Sequence, residues 1–139
     1  MSKKIFLDSD VVIDFLMKRE PFEVESMKIF EYSLRNQLTI GLSSLSISNI
    51  YYIIRRVEDK KKAIDKVRSI IKLTEILSVD KSMVEKSAYS EFKDFEDGIQ
   101  YFCADFHGYK TIITRNVKDY SKSSLSVLTP KEFLANFEK

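Results

Sequence analysis

Three aspartates far apart in the chain, Asp8, Asp97 and Asp119, are of a type and placement suited to chemistry. Asp8 directly follows the short apolar run Ile5–Leu7, and Asp119 follows the run Thr111–Thr114 by a few residues. Clustered carboxylate oxygens suit Mg²⁺ or Mn²⁺, which keep bound water and bind phosphates. Such a cation can activate a water molecule and neutralise charge that builds on a phosphodiester. We therefore predict a Mg²⁺ or Mn²⁺ site built from these acids.

Each of these acids also has a purely structural interpretation. Asp8 could cap the helix that follows it, for which Ser9 or Asp10 is another suitable N-cap. Asp97 comes three residues after Asp94, as in a capping arrangement, and an acid in a first turn stabilises the helix dipole. Asp119 fits an ordinary turn. Spacing alone leaves both interpretations open.

Other polar residues are interpreted as structural. The chain has one cysteine and one histidine, which excludes multi-cysteine zinc sites, an intramolecular disulfide and His-rich metal sites. We predict that Cys103 is a buried small apolar residue and that His107 lies at a helix end. We interpret Asp10 and Asp14 as solvated or capping residues.

Composition limits the class of protein. The chain has 139 residues, 44% of them hydrophobic, and a formal net charge of +2. These values predict one globular domain over residues 1–139 and exclude a globally basic nucleic-acid clamp. The apolar residues before Asp8 are too few for a signal peptide, and no apolar run is long enough to span a membrane. We expect a cytoplasmic protein that does not contact a membrane.

Short apolar runs alternate with segments of helical periodicity. The predicted strands are Ile5–Leu7, Leu38–Leu42, Glu75–Val79, Thr111–Thr114 and Ser126–Leu128. Helices are predicted from about Val11, over Phe22–Asn36, from Leu45 to Val57, over Glu58–Lys72, Lys81–Phe92 and Asp94–His107, and from Pro130. This alternation predicts an α/β fold with a mostly parallel sheet covered on both faces. In such sheets ligands bind beyond the carboxyl ends of the strands, where the acids are placed.

Four segments in order resemble the motifs of PIN-domain nucleases. They are Leu7–Asp14, Ser43–Tyr52, Asp94–Asp97 and Thr114–Tyr120, followed by a family-like ending at Leu128–Leu134. The resemblance covers essentially the whole chain. Its nearest group is the toxin-type, VapC-like PIN proteins of bacterial toxin–antitoxin pairs.

The resemblance implies a fold, an activity and partners. The fold is a three-layer α/β/α sandwich with a central, mostly parallel sheet of about five strands. The activity is that of a Mg²⁺- or Mn²⁺-dependent endoribonuclease that cleaves single-stranded or structured RNA as the toxin of a toxin–antitoxin pair. The partners are RNA, an antitoxin protein and a second copy of the chain.

The resemblance also implies roles for individual residues. Asp8 and Asp97 match acidic metal-ligand positions of the family, and the fourth position corresponds to Asn116 or Asp119. Ser9 and Thr114 match polar supports of the acids or of the phosphate.

The second motif departs from the family pattern. The family usually has a glutamate on this helix, and this chain has Asn49 in its place. Asparagine keeps a carbonyl oxygen that can bind a hard cation directly or through water. We expect the loss of one negative charge to weaken metal binding and activity.

Basic residues mark a path for RNA towards the acids. Arg115, beside the fourth motif, could hold a phosphate oxygen in the bidentate manner of arginine. Lys60, Lys61 and Lys62, with Arg55–Arg56 before them, could attract the RNA backbone.

Two further functions fit parts of the sequence. With Asn49 in place of glutamate, the domain could be a PIN-like module that binds RNA or protein without cleaving it. The Asp-x-Asp pattern of Asp8 and Asp10 also fits the start of haloacid-dehalogenase-like phosphatases, with Asp8 as nucleophile and Asp10 as general acid.

Overall fold

Five parallel strands form the centre of the computed structural model, which describes residues 2–139. The strands are β1 (Lys3–Leu7), β2 (Leu38–Ser43), β3 (Glu75–Leu77), β4 (Thr111–Ile113) and β5 (Ser126–Leu128). Their spatial order is β3-β2-β1-β4-β5. The strand order reverses between β1 and β4, where Leu7 pairs with Ile113. A ligand site is expected at this reversal, beyond the carboxyl ends of both strands.

Seven helices and one short 3-10 helix, Val117–Tyr120, lie between or after the strands in residues 2–139. They are α1 (Ser9–Leu16), α2 (Glu23–Leu34), α3 (Ser44–Arg55), α4 (Lys60–Leu73), α5 (Lys81–Ala88), α6 (Phe95–Phe106) and α7 (Pro130–Phe137). Within residues 2–139, each helix is too short or too polar to cross a membrane.

The two faces of the sheet have separate cores because successive strand residues point to opposite sides. Ile5 and Leu7 pack with residues of α1, α2, α3, α4 and α7. Phe6 packs on the other face with residues of α5 and α6. The predicted three-layer α/β/α sandwich with a five-stranded parallel sheet is therefore confirmed.

The main difference from the predicted elements lies between α5 and α6. The fifth helix ends at Ala88 and not at Phe92. The hydroxyl of Ser90 donates to the Ser87 carbonyl and accepts from the Phe92 backbone N–H, so the side chain stabilises a turn in place of another helical turn. Gly108 follows α6 with a φ of +80°, a left-handed conformation that favours glycine and ends the helix.

Candidate active site

Asp8 lies at the junction of β1 and α1, where its carboxylate accepts three hydrogen bonds. Oδ1 accepts from the backbone N–H of Ser9 at 2.7 Å, and Oδ2 accepts from the Thr114 hydroxyl at 2.9 Å and the Tyr120 hydroxyl at 3.3 Å. Asp8 is also the N-cap of α1, so the capping interpretation of Asp8 holds and Ser9 lies inside the helix. These bonds fix the carboxylate at the strand reversal.

The environment of Asp8 disfavours its charge despite these donors. Burial raises the pKa of Asp8, and the charge of Asp119 raises it further. Tyr120 is buried, which raises the pKa of its phenol, so the hydroxyl stays protonated and can donate to Asp8. The hydrogen bond from Tyr120 to Asp8 was not predicted from the sequence. Within the fourth motif, only Asn116 and Asp119 were considered as the fourth site residue.

Asp97 is held near Asp8 by the start of α6. Asp94 caps this helix by accepting from the backbone N–H of Asp97 at 2.9 Å. Burial raises the pKa of Asp97 to about 7, and the charge of Asp8 is the next largest cause. The carboxylates of Asp8 and Asp97, which are far apart in the sequence, are therefore close enough in the fold for the charge of one to raise the pKa of the other.

A pocket of about 340 Å³ opens over these acids. It is lined by Asp8, Ser9, Asn49, Tyr52, Ile53, Arg56, Glu96, Asp97 and Gln100. Ser43 caps α3 by accepting from the Ser46 N–H, and this helix carries Asn49 to the pocket. The structure thus brings together Asp8, Asp97, Asn49 and Ser9, while Glu96 is an acid that the motif comparison did not assign.

The two candidates for the fourth site residue differ in their surroundings. The side-chain amide of Asn116 donates to Oδ2 of Asp10 at 3.2 Å. Asp119 is exposed on the 3-10 helix, and its charge raises the pKa of both Asp8 and Asp97. Asp119 is not among the residues that line the pocket, but its charge acts on Asp8 and Asp97, so we favour it over Asn116 as the fourth site residue.

Asp10 and Asp14 differ from the sequence interpretation. Asp10 accepts from the backbone N–H of Arg115, and its burial raises its pKa to about 7. Asp14 is only 1% exposed and pairs with Arg19 at 2.9 Å and Arg115 at 2.8 Å. The prediction that these acids are solvated or capping is wrong, because partners far along the chain cover both of them.

The predicted RNA contacts occupy different environments. Thr114 is fully buried and donates to Asp8, so its hydroxyl supports that acid. Arg115 pairs with Asp14 and stacks on the Phe22 ring, 4.0 Å from its centroid. The lysines Lys60, Lys61 and Lys62 are exposed at the start of α4, outside the acidic pocket.

The oxygen atoms of this pocket fit a hard divalent cation. Within residues 2–139, no ion pair neutralises Asp8, Asp97 or Asp119, and their charges act on one another. No three acidic, His or Cys side chains of the described chain already lie in a ligating arrangement. A divalent cation bound beside these carboxylates would relieve their repulsion.

The crowded acids predict a pH-dependent difference in stability. The pKa of Asp97 rises from its ordinary value of 3.8 to about 7 on folding, so the folded metal-free protein binds more protons between these values. Its contribution to stability is therefore present below about pH 4 and lost as the pH rises through about 7. We expect Asp97→Asn to melt above the wild type at pH 8 and close to it at pH 4. Thermal melts in EDTA measure this, and a difference that does not vary with pH would contradict it.

Comparisons with known proteins agree with this architecture. A family model described as PIN domain matches residues 4–118. Ribonuclease VapC1 of Aquifex aeolicus is 32% identical over 137 residues, which cover 95% of this chain and 94% of that protein.

Solved structures share the fold at low sequence identity. VapBC2 from Rickettsia felis, bound to a DNA fragment from its promoter, matches with a TM-score of 0.66 and 14% identity over 90% of this chain and 96% of that chain. VapC20 of Mycobacterium tuberculosis, a toxin that cleaves the sarcin-ricin loop, matches with a TM-score of 0.63 and 8% identity over 78% of this chain and 86% of that chain. Because the family model covers most of the chain and a curated relative aligns over nearly all of it, the chain belongs to the PIN-domain family.

Proposed function

We propose that this protein is a divalent-metal-dependent endoribonuclease and the toxin of a toxin–antitoxin pair. The observation that carries the proposal is the pair of carboxylates, Asp8 and Asp97, that share one pocket at the strand reversal without a cationic partner in the described chain. Similarity to a protein named ribonuclease VapC1 supports the activity. Asp8, Asp97 and Asp119 would hold Mg²⁺ or Mn²⁺, together with the side-chain oxygen of Asn49.

The chain's own residues orient the reaction. Thr114 and Tyr120 fix one oxygen of Asp8, and the Ser9 N–H fixes the other. Bound at these acids, the cation would lower the pKa of a water molecule and neutralise charge on the phosphodiester. Arg56 lines the same pocket, so we assign the phosphate contact to Arg56 and not to Arg115, whose guanidinium pairs with Asp14.

The proposed partners are RNA, an antitoxin and a second copy of the chain. The Rickettsia felis neighbour and others are complexes of toxin and antitoxin, which supports an antitoxin partner. We place the protein in the cytoplasm, where its RNA substrate is found.

Neither alternative function is favoured. In a phosphatase of the haloacid-dehalogenase type Asp10 would be the general acid, but here its carboxylate accepts from the Arg115 N–H and the Asn116 amide. A module that only binds has no need for the crowded acids of the pocket, which cost stability in the metal-free protein. The match to a PIN-domain model and to a ribonuclease favours the nuclease.

Cleavage of RNA by the purified chain tests the proposed function. Labelled single-stranded RNA and an RNA hairpin are incubated with the protein in Mn²⁺, Mg²⁺ or EDTA, and p-nitrophenyl phosphate is tested in parallel. We expect RNA cleavage with either metal, none in EDTA and no phosphatase activity. Intact RNA under all three conditions would refute the proposal, and phosphatase activity alone would favour the alternative enzyme.

The RNA path predicts different effects for neighbouring arginines. Arg56 lines the pocket, whereas Arg55 donates to the Glu58 carbonyl at the end of the helix. A charge-assisted contact contributes about 1.5 kcal/mol, so Arg56→Ala should lower kcat/KM for RNA about 10-fold. Arg55→Ala serves as the control and should change it less. Equal losses of kcat/KM in the two variants would contradict a specific contact between Arg56 and the phosphate.

The lysines at the start of α4 predict a salt effect. Lys60, Lys61 and Lys62 begin four residues after Arg56 and are exposed. If each neutralises one phosphate of a single strand, the triple Ala variant should flatten the slope of log K against log salt by about 2. Filter binding at several salt concentrations measures the slope, with Mn²⁺ affinity as the unchanged control. An unaltered slope would show that these lysines are only solvated.

A further inference from the structure

Asn49 makes a hydrogen bond to a carboxylate on the facing helix. Its Nδ2 donates to Oε1 of Glu96 at 2.7 Å, across 47 positions of sequence. Asn49 is on α3 and Glu96 is in the first turn of α6, so the bond connects the two helices. Both side chains line the pocket that contains Asp8 and Asp97. The position on α3 that lacks the family's glutamate thus lies beside an extra acid of α6.

The residue types at these two positions fit each other. A glutamate at position 49 would place a second negative charge at hydrogen-bond distance from Glu96, and like charges that close repel. The neutral amide of Asn49 instead donates to the carboxylate and orients it. The charge that the family pattern expects on α3 is therefore present in the same pocket on α6.

Gln100 supplies independent evidence for a ligand beside Glu96. It lies one turn further along α6, lines the same pocket and is only 4% exposed. Its Nε2 donates to the Ser46 hydroxyl at 2.7 Å, while its Oε1 is buried with no hydrogen-bond partner in residues 2–139. A buried acceptor without a donor is unfavourable, because it has lost its hydrogen bond to water. A hydrated cation would provide the donor through its bound water.

We propose that Glu96, oriented by Asn49, replaces the carboxylate that is missing from α3 and completes the charge of the metal site. The inference rests on the proposed metal-dependent function. Oε1 of Glu96 accepts from Asn49, which leaves Oε2 for the cation, directly or through water. The Asn49 departure then moves a ligand from one helix to another and does not remove it.

Moving the charge back to α3 tests this inference. Binding of Mn²⁺ alone is measured by calorimetry for the wild type, Glu96→Gln and the double variant Asn49→Glu/Glu96→Gln. The glutamine side chain keeps an oxygen that accepts from Asn49, so Glu96→Gln should fold normally and weaken Mn²⁺ binding about 10-fold. In the double variant the amide introduced on α6 can donate to the carboxylate introduced on α3, and affinity should return to within about 3-fold of the wild type.

Two reference variants separate the outcomes. Asp105→Asn removes an exposed carboxylate from the same helix and should leave Mn²⁺ affinity unchanged. Asp8→Asn should weaken binding whatever the role of Glu96. If Asp8→Asn weakens binding while Glu96→Gln behaves like Asp105→Asn, the role of Glu96 is overturned and the proposed function stands. A wild type that binds no Mn²⁺ would overturn both.

Discussion

Replacing Asp8 by asparagine should reduce RNA cleavage at least about 100-fold while the fold is retained. Asparagine can still accept from the Ser9 N–H, and the hydroxyls of Thr114 and Tyr120 can rotate to accept from its amide. The variant loses the negative charge next to the strand reversal. Because that charge is needed to hold the cation, the metal affinity and the rate of RNA cleavage should both fall.

Thermal stability reports the same change without any substrate. At a Mn²⁺ concentration about 100 times Kd, binding stabilises the folded wild type by about 2.7 kcal/mol. A 100-fold weaker Kd would leave only about 0.4 kcal/mol of this stabilisation in Asp8→Asn. In EDTA the variant should melt above the wild type, since burial raises the pKa of Asp8 and disfavours its charge. Equal Mn²⁺ shifts and equal cleavage in both proteins would show that Asp8 only caps its helix.

Replacing Arg115 by alanine should lower the free energy of unfolding by about 2 kcal/mol and leave Mn²⁺ affinity unchanged. Its guanidinium lies 2.8 Å from the buried carboxylate of Asp14 and stacks on Phe22. Removal of one partner from a fully buried pair costs about 3–5 kcal/mol. The loss here should be smaller, because Arg19 still faces Asp14 and the side chain of Arg115 is 27% exposed.

Urea unfolding of two matched variants measures this effect. Arg19→Ala removes the other cation from Asp14, but its side chain is 41% exposed, so its loss should be smaller than that of Arg115→Ala. Cleavage by the folded Arg115→Ala protein should fall less than cleavage by Arg56→Ala. Unchanged stability together with a large loss of cleavage would instead assign Arg115 to the phosphate, as its motif position suggested.

The sheet was predictable because its strands are short apolar runs that end in polar residues. The strands at Ile5–Leu7 and Thr111–Thr114 were located from their apolar runs, and the alternation of strands with helices indicated a parallel sheet. The 3-10 helix Val117–Tyr120 was not predicted, since four residues carry no periodic pattern. This helix places the hydroxyl of Tyr120 within hydrogen-bond distance of Asp8.

Within the candidate site, only residues that belong to a recognisable motif could be proposed from the sequence. Asp8, Asp97 and Asp119 have recognisable positions relative to strand ends and helix starts. Asp14 follows the apolar residues of a short helix and, as a charged residue, was interpreted as solvated. In the structure it pairs with Arg115, which is 101 positions away in the sequence. Ion pairs between residues this far apart in the sequence depend on tertiary packing, so the local residue pattern does not predict them.

Crystals soaked in Mn²⁺ would locate the cation on which the proposed function depends. Anomalous scattering from manganese gives the position of the cation independently of any activity. We expect an anomalous peak in the pocket between the carboxylates of Asp8 and Asp97, and no such peak in crystals of Asp8→Asn. A peak at another site, or an empty pocket in wild-type crystals of protein that cleaves RNA, would contradict the assignment of the metal to these acids.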